Sequence, residues 1–460
     1  MTKSLLLSAI HRSNRPVLGI IITLGNRMVK KYIMIIGLLF MVTSSVHAQR
    51  LNPELWQVKF QRDDVAPKSW IDDEVRYAGE KTLALSGENK AHANGCWTLQ
   101  VDIIPETHYE FTSHFRFQNV EEVQRCILAR ILWRDADGNR VERAEYPTTL
   151  SEIEDGWWTI NHVYRSPAGA TKAILELVFR WDPDGMVHFG GTSFAKVQPP
   201  AKRLVRLASV HHRPRNSKSP QENLDQFAKF VDQAGCAGAD IVCLPEGITV
   251  VGTGKSYVDV SEPIPGPSTA FLGQVAKRNQ VYVVAGIYER DNDVVYNTAV
   301  LLDRNGELAG KYRKVCLPRE EIQGGITPGN SFPTFQTDFG RVGMMICWDV
   351  TFPEVARGLR MNGAEVILMP IWGGILTLAQ ARAIENQIYL VSSTYDMKSA
   401  IFDLEGNILG EATDSDPVVV TEVDLNEQKL WPWLGDLKNR IPREMPPREA
   451  MDGVGLQVHN

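Results

Sequence analysis

Apolar and polar residues alternate along the first part of the chain, from about residue 51 to residue 197. Such a period of two is typical of strands with one buried face. The clearest runs are Tyr109 to Phe117 and Leu175 to Trp181, and Asp135-Ala136-Asp137-Gly138-Asn139 supplies a turn between such runs. The pattern therefore predicts an all-β sandwich over residues 49–198.

Pro199-Pro200 ends the alternation, and short apolar runs then alternate with helical patterns. Ser219-Pro220-Gln221-Glu222 has the order of a capping box with proline in the first turn, and it predicts a helix that ends near Gly235. The other predicted elements are strands at Ile241–Leu244, Val281–Ala285, Val342–Ile346, Val366–Met369 and Tyr389–Ser392, a helix at Leu376–Gln387 and a hairpin turn at Asp403–Asn407. This order indicates an α/β domain over residues 203–430, followed by a C-terminal tail over 431–460.

The start of the chain has the features of an export signal. Two lysines precede the apolar run Ile33 to Val42, and small residues follow up to Ala48. This order predicts a secretory signal over residues 1–48, with Met28 as an alternative start. The run is shorter than the roughly 18 residues that a membrane span needs. We therefore expect an exported protein, periplasmic or secreted, without stable membrane insertion.

Charge and composition narrow the class of protein. The 460 residues contain 49 Lys and Arg against 55 Asp and Glu, with a net charge of -6. This near balance argues against a nucleic-acid partner, because nucleic-acid-binding proteins usually carry a basic surface. Six cysteines are too few for a disulfide-dense scaffold, although Cys96 and Cys126 are candidates for a pair. An enzyme with two folded domains is the class that remains.

Three segments of the α/β region contain side chains that could serve as a base, a cation and a nucleophile. Glu246 and Cys347 each end an apolar run, and Lys314 lies in a short basic run. Functional groups of α/β folds collect at the carboxyl ends of strands. The only histidines of the region are His211 and His212 at its start, so a papain-like Cys–His pair is a poor fit. A cysteine nucleophile would here use a carboxylate as its base, and a lysine would stabilise the oxyanion.

Together the three segments resemble the nitrilase superfamily, the carbon–nitrogen hydrolases, over about residues 204–425. The resemblance lies in a strand-ending Leu-Pro-Glu, a Tyr-Arg-Lys with Leu-Pro downstream, and a strand-ending Ile-Cys-Trp-Asp. It implies Glu246 as general base, Lys314 as the group that stabilises the tetrahedral intermediate, and Cys347 as nucleophile of a thioester mechanism. The backbone N–H of Trp348 would complete the oxyanion hole.

The resemblance also implies an α/β fold of four layers, an α-β-β-α sandwich that pairs through its helical faces into a homodimer or larger oligomer. It implies no metal and no organic cofactor. A supporting carboxylate is expected after the lysine, with Glu321 preferred over Glu320. Trp372 and Tyr288 are candidate pocket residues, with a core role as the alternative, and Arg382-Ala383-Ile384-Glu385 is expected to be structural.

The substrate is less closely defined. Asp349 stands where nitrilase-like members often carry Glu, which favours an amidase or carbamoylase of a small amide-like substrate over nitrile hydrolysis. The N-terminal sandwich resembles galactose-binding-like jelly-roll modules in strand pattern and aromatic content. Carbohydrate binding there is one hypothesis, and a docking role is the other. The alternative for the whole chain is a non-catalytic binding protein on the same scaffold.

Overall fold

A computed structural model of the protein describes residues 50–431, 433 and 435–446. The predicted signal over residues 1–48 and the last part of the predicted tail, 447–460, lie outside the described residues. Within the described ranges, no helix is both long enough and apolar enough to cross a bilayer.

The alternating region forms an all-β domain, as predicted. Its strands are β1 (Gln57–Phe60), β2 (Lys68–Tyr77), β3 (Glu80–Ser86), β4 (Asn94–Asp102), β5 (His108–Gln118), β6 (Ile127–Arg134), β7 (Thr149–Glu152), β8 (Trp158–Arg165), β9 (Lys172–Arg180) and β10 (Met186–Lys196). They pair antiparallel in two sheets, of order β1-β4-β9-β6 and β2-β3-β10-β5-β8-β7. Phe111 and Phe115 of β5 share one core with Leu175 and Leu177 of β9. The pattern did not predict α1 (Val123–Cys126), a single short turn.

The two cysteines of this domain do not pair, because they face opposite sides of the four-stranded sheet. Both are free thiols. Cys96 packs with Leu128 and Val178, away from the main core. Its neighbour Trp97 points into that core, as successive residues of a strand must, and Cys126 lies in the same core. The candidate disulfide of the sequence is therefore absent.

The second region contains two six-stranded sheets, the two-stranded sheet β23-β24 and most of the helices. Its strands are β11 (Leu204–Val210), β12 (Ile241–Cys243), β13 (Tyr282–Asp291), β14 (Val294–Leu302), β15 (Leu308–Arg313), β16 (Thr334–Gln336), β17 (Arg341–Met344), β18 (Val366–Pro370), β19 (Tyr389–Ser393), β20 (Ser399–Phe402), β21 (Ile408–Ala412), β22 (Val418–Asp424), β23 (Leu430–Trp431) and β24 (Gly435–Asp436). Its helices are α2 (Pro220–Cys236), α3 (Pro267–Asn279), α4 (Arg319–Gln323), α5 (Pro353–Met361), α6 (Leu376–Asn386) and α7 (Leu437–Glu444).

Each six-stranded sheet has three parallel strands at its centre. The first has the order β15-β14-β13-β12-β11-β22 with β11, β12 and β13 parallel, and the second has the order β16-β17-β18-β19-β20-β21 with β17, β18 and β19 parallel. Leu207 and Val284 of the first sheet share a core with Met344 and Leu390 of the second. Helices α2 and α3 pack on the other side of the first sheet, and α5 and α6 contact β17 and β19. The loops that follow the parallel strands therefore leave each sheet at the same end, the carboxyl end of those strands.

The predicted strands agree with the observed ones to within a few residues, except at β13, which continues beyond its apolar start to Asp291. The predicted end of α2 was wrong. Gly235 lies inside the helix, where an added Cβ would meet the Asn279 side chain at 2.8 Å. Gly238, with φ +79°, provides the left-handed residue after the helix instead. A tight packing contact was thus mistaken for a helix end.

Replacing Gly273 with alanine should destabilise the protein, although alanine is the better helix former by about 1 kcal/mol. In α3 a Cβ at this position would lie 2.3 Å from the backbone oxygen of Gly306, in the turn between β14 and β15. No side-chain rotation relieves a clash with backbone, so we expect a loss of roughly 1–3 kcal/mol in the free energy of unfolding. Urea denaturation measures it. The control is Gln274→Ala, an exposed neighbour, and a Gly273→Ala protein as stable as wild type would contradict the close approach.

Candidate active site

Glu246 lies in the turn that follows β12, with its carboxylate buried and fully hydrogen-bonded. Its Oε1 accepts from Lys314 Nζ at 2.9 Å and from Asn297 Nδ2 at 2.7 Å. Its Oε2 accepts from the backbone N–H of Trp372 at 2.9 Å. Gly286 of β13 makes this approach possible, because a Cβ there would lie 2.7 Å from Glu246 Cα. The carboxylate is therefore fixed by elements of both sheets.

Lys314 follows β15 and is buried, with 1% of its surface exposed. Its Nζ lies 2.9 Å from Glu246 Oε1 and 3.0 Å from Glu321 Oε2. Burial alone disfavours the ammonium, but the neighbouring acidic groups, Glu246 foremost, outweigh it and raise the pKa of Lys314. The lysine is thus a fixed positive charge in a dry site.

Glu321, and not Glu320, is the carboxylate that faces Lys314. Glu321 lies buried in the short helix α4, whereas Glu320 is exposed. Asn297 Nδ2 donates to Glu321 Oε1 at 2.6 Å as well as to Glu246, so one amide joins the two carboxylates. Burial, opposed by Lys314 and reinforced by the charge of Glu246, raises the pKa of Glu321 to about 7.

Cys347 begins a 3₁₀ turn after β17, beside the carboxylates. Its thiol donates to the carbonyl oxygen of Gly373 across 3.6 Å. Burial and the charge of Glu246, opposed by Lys314, raise the pKa of Cys347 to about 12. The resting thiol is therefore protonated at neutral pH, and its reaction as a nucleophile requires transfer of that proton to a base.

The backbone of this turn has an uncommon conformation at its first residue. Cys347 has φ +46°, a left-handed conformation that is uncommon outside glycine and asparagine and that collects at functional sites. The next N–H, that of Trp348, belongs to the first residues of the 3₁₀ turn, which have no acceptor within it. The Trp348 ring is 43% exposed and packs edge-on against Phe352. Its side chain thus lies at the surface.

Asp349 does not face the pocket. It is fully buried, and its carboxylate accepts from Tyr312 Oη at 2.7 Å, from the Ile346 N–H at 2.9 Å and from the Cys316 N–H at 2.9 Å. These contacts fasten the loop after β15 to the turn after β17. The inference from Asp349 to the type of substrate therefore loses its basis, because the side chain holds the site together and is closed off from a ligand.

Arg382 holds the same turn from the opposite side. Its Nε donates to the Val350 carbonyl at 3.0 Å and its Nη2 to the Thr351 carbonyl at 3.2 Å. It also pairs with Glu385 at 2.7 Å. The segment expected to be structural thus ties α6 to the backbone just after the cysteine, and it stays outside the group of reactive side chains.

Tyr288 and Trp372, the two candidate pocket residues, flank the residue that follows Glu246. A Cβ on Gly247 would lie 3.4 Å from the Tyr288 ring and 3.6 Å from the Trp372 ring. Tyr288 is buried and stacks on Tyr257 at 4.7 Å, and Trp372 meets Tyr395 edge-on at 5.0 Å. Both candidates therefore lie beside Glu246, together with two tyrosines that sequence reasoning missed. Tyr288 belongs to a buried hydrophobic cluster against which Trp372 packs, as the alternative of a core role predicts.

Asn297 is the functional candidate that sequence reasoning missed most clearly. It sits fully buried on β14, where Asn297-Thr298 interrupts a run of apolar residues that continues to Leu302. Two polar side chains in a buried strand need hydrogen-bond partners inside the protein. This pair was the feature of the sequence that could have pointed to Asn297. Across the described ranges, no three His, Cys, Asp or Glu side chains are arranged to hold a metal ion.

The chain belongs to the carbon–nitrogen hydrolase family. Its family profile matches residues 206–432. The human omega-amidase NIT2 is 31% identical over 278 residues, which cover 55% of this chain and 98% of that protein. A nitrilase of Pyrococcus abyssi is 35% identical over 247 residues, 48% of this chain and 90% of its own. A solved structure of the Nesterenkonia AN1 amidase, a nitrilase-superfamily protein, is 24% identical and covers 55% of this chain and 98% of that one, with a TM-score of 0.45.

Glu321→Gln should remove one pH-dependent contribution to stability. Because the folded pKa of about 7 lies above the ordinary 4.5, the folded protein keeps a proton that the unfolded chain releases between these values. Wild-type stability should therefore fall, relative to the variant, as pH rises through this window and stay level above it. Urea midpoints at a series of pH values measure this. Glu320→Gln is the matched control, and parallel wild-type and Glu321→Gln profiles would show that Glu321 ionises normally.

Proposed function

We propose that the protein is an exported hydrolase of non-peptide C–N bonds, of the amidase or carbamoylase type. Glu246, Lys314 and Cys347 form its catalytic set, and Glu321 supports it. The observation that carries the proposal is the buried ammonium of Lys314, which lies 2.9 and 3.0 Å from two carboxylates beside the partly buried Cys347 thiol. This cluster supplies a base, a fixed cation and a nucleophile, and family membership supports that combination of roles.

The first half of the proposed reaction forms a thioester. Glu246 accepts the Cys347 proton, which the raised pKa of the thiol makes a required step. The thiolate sulfur then bonds to the carbonyl carbon of the substrate, and the electron pair of the C=O bond moves to oxygen. Lys314 and the Trp348 N–H stabilise this oxyanion. When the C–N bond breaks, protonated Glu246 returns its proton to the nitrogen, which leaves as ammonia or an amine.

The second half releases the acid. Glu246 takes a proton from water, and the hydroxide oxygen bonds to the thioester carbon. Collapse of the second tetrahedral intermediate breaks the C–S bond, and the proton on Glu246 returns to Cys347. The base thus acts twice and ends in its initial state. Glu321 and Asn297 remain in place throughout and hold Lys314 and Glu246 at their positions.

Nitrile hydrolysis by the same residues is the alternative chemistry. The relatives include both an omega-amidase and a nitrilase. We favour the amide reaction because the relatives that the chain matches at 31% identity over more than 90% of their own length are omega-amidases. The non-catalytic alternative is disfavoured, because the three proposed catalytic residues and the supporting Glu321 are all present and lie in one cluster.

We further propose that the catalytic domain is an α-β-β-α sandwich that forms a homodimer or larger oligomer, and that the N-terminal domain is a galactose-binding-like jelly roll. Trp133 and three other tryptophans of that domain are buried in its core, so they are not available to a sugar. The exposed Trp181 ring has the guanidinium groups of Arg125 and Arg180 5.2 and 3.9 Å from its centroid. These surroundings favour the docking hypothesis over carbohydrate binding.

Contacts between the N-terminal domain and the end of the chain support the same preference. His162 Nε2 is hydrogen-bonded to Gln428 Nε2 at 2.6 Å, and Asn439 Nδ2 donates to Tyr164 Oη across 3.5 Å. Arg443 Nη2 donates to the carbonyl of Pro147. The N-terminal domain therefore already serves as a docking surface for the segment that leaves the catalytic domain.

Cys347→Ala should abolish ammonia release from a panel of small amides and carbamoyl amino acids, by at least about 10³-fold, because no other group replaces the nucleophile. Wild type should in addition carry an acyl adduct on Cys347, visible as an increase in intact mass. The control is Cys236→Ala, which removes an exposed thiol at the end of α2 and should keep full activity.

The same assays, extended to small nitriles, distinguish amide hydrolysis from nitrile hydrolysis and from a non-catalytic binding protein. Turnover of nitriles without turnover of amides would replace the amidase assignment by the nitrilase one. Absence of turnover and of any adduct, with a Cys347 thiol that iodoacetamide does not label, would favour the binding protein.

The export proposal has its own test. Expression of the full chain in a Gram-negative host should yield periplasmic protein whose intact mass begins at Gln49. Ala48→Arg should block this processing and retain the longer form, since the cleavage site requires small residues. Unprocessed wild-type protein in the cytoplasm would contradict export.

A further inference from the structure

Asn297 of β14 is hydrogen-bonded to three of the four residues that form the proposed catalytic cluster. Its Nδ2 donates to Glu246 Oε1 at 2.7 Å and to Glu321 Oε1 at 2.6 Å. Its backbone carbonyl accepts from the N–H of Lys314 at 2.9 Å. Because the Lys314 ammonium lies 2.9 and 3.0 Å from the same two carboxylates, the four side chains form a closed ring in which donors and acceptors alternate.

The orientation of the Asn297 amide indicates what the cluster requires of it. The side chain is fully buried, and its Nδ2 faces both carboxylates. Its Oδ1, in contrast, accepts from no donor among the described residues. A buried acceptor without a partner costs free energy, and a leucine of similar size would avoid that cost. The two donations must therefore outweigh it, as is expected where the acceptors are charged.

The charges of the ring explain why a neutral donor is suited to this position. With both carboxylates ionised, the ring contains one ammonium and two negative charges. A second cation in place of Asn297 would balance these charges and make both carboxylates poor proton acceptors. An amide stabilises the two carboxylates without adding charge, so the ring can still accept one proton. The Cys347 thiol, whose pKa is raised to about 12, must lose such a proton before it reacts.

We propose that Asn297 is a positioning residue that couples Glu246 and Glu321 into one proton-accepting unit, and that this coupling keeps Glu246 charged and in place until the thiol proton reaches it. The inference rests on the proposed function, because it concerns the base of that reaction. The proton passes from Cys347 Sγ to a carboxylate oxygen of Glu246, and Asn297 itself neither gains nor loses one. Without its amide, each carboxylate has one donor fewer and keeps a proton to higher pH.

Asn297→Leu should lower kcat for a small amide about 10- to 100-fold, with KM changed less than about 3-fold. It should also move the low-pH limb of the kcat/KM profile to higher pH, because Glu246 must lose its proton before it can act as base. In the double variant with Glu321→Gln the two effects should be less than additive, since both changes remove the same link.

Thr298→Val is the matched control. Thr298 is the next residue of β14 and is equally buried, but its hydroxyl donates to Glu289 Oε2 at 2.9 Å. Successive residues of a strand point to opposite faces of the sheet, so this change removes a buried hydrogen bond to a carboxylate outside the cluster. It should leave the low-pH limb where it is in wild type.

A second measurement does not depend on turnover. Urea midpoints at a series of pH values report the proton that the folded protein holds and the unfolded chain releases. In wild type the fall in stability with rising pH should end near the Glu321 pKa of about 7, whereas in Asn297→Leu it should continue to higher pH. If Asn297→Leu does not fold, Asn297→Ser, whose hydroxyl keeps a single donor, replaces it in both measurements.

The outcomes are distinguishable. A loss of activity with the low-pH limb and the stability profile both unchanged would make Asn297 a purely structural residue and overturn the inference. Full activity of the Asn297 variant would overturn it as well, and both results leave the proposed function intact. Absence of ammonia release from every amide in wild type would instead refute the proposed function, and the stability profiles would still show whether Asn297 controls the proton affinity of the two carboxylates.

Discussion

The site depends on one interaction, the burial of the Lys314 ammonium between two carboxylates. A charge that is removed from water is tolerated only when opposite charges and hydrogen bonds replace its hydration. Here Glu246 arrives from the end of β12, Glu321 from α4 and the lysine from the end of β15, so three separate elements must meet before any of the charges is satisfied. Asn297 adds a fourth element, because its amide donates to both carboxylates. The loss of any one member would leave the others buried and incompletely paired. The members therefore keep one another in place, in the geometry that the proposed chemistry needs.

Cys347, the proposed nucleophile, depends on a second set of contacts, which act on its backbone. Asp349 fastens its turn to the loop after β15, and Arg382 fastens it to α6, so the left-handed backbone of Cys347 is held from both sides. The pKa of the thiol is raised because it is buried next to a carboxylate, so a thiolate does not accumulate at rest. Thiolate is the form that oxidants attack. In the oxidising compartment that we propose, a thiol that loses its proton only during the reaction would survive, whereas a preformed thiolate would be exposed to oxidation.

Features that depend on short stretches of sequence could be predicted. Apolar runs predicted the parallel strands, the residues that follow two of these runs are Glu246 and Cys347, and a short basic run contains Lys314. Features that depend on the direction of a side chain in the folded protein could not be predicted. Asp349 was interpreted through its neighbours in the chain, whereas its partners come from β15 and from backbone N–H groups. Cys96 and Cys126 looked like a pair because their positions in the fold were unknown. Cys96 of β4 packs on the face of its sheet away from the main core, whereas Cys126 at the end of α1 lies inside that core. Asn297 needs two carboxylates that are distant in sequence, so no local pattern specified its role.

The N-terminal domain is connected to the site through the end of the chain. Asn439 of α7 donates a hydrogen bond to Tyr164 of β8. The residue before it, Lys438, accepts through its backbone carbonyl a hydrogen bond of 3.2 Å from the Arg360 guanidinium of α5. Helix α5 begins where the 3₁₀ turn of the nucleophile ends. These contacts are polar and partly buried, and such contacts specify a geometry more than they add stability, because desolvation offsets much of their energy. These contacts link β8 of the all-β domain through α7 to α5, and they support the proposal that this domain serves as a docking surface.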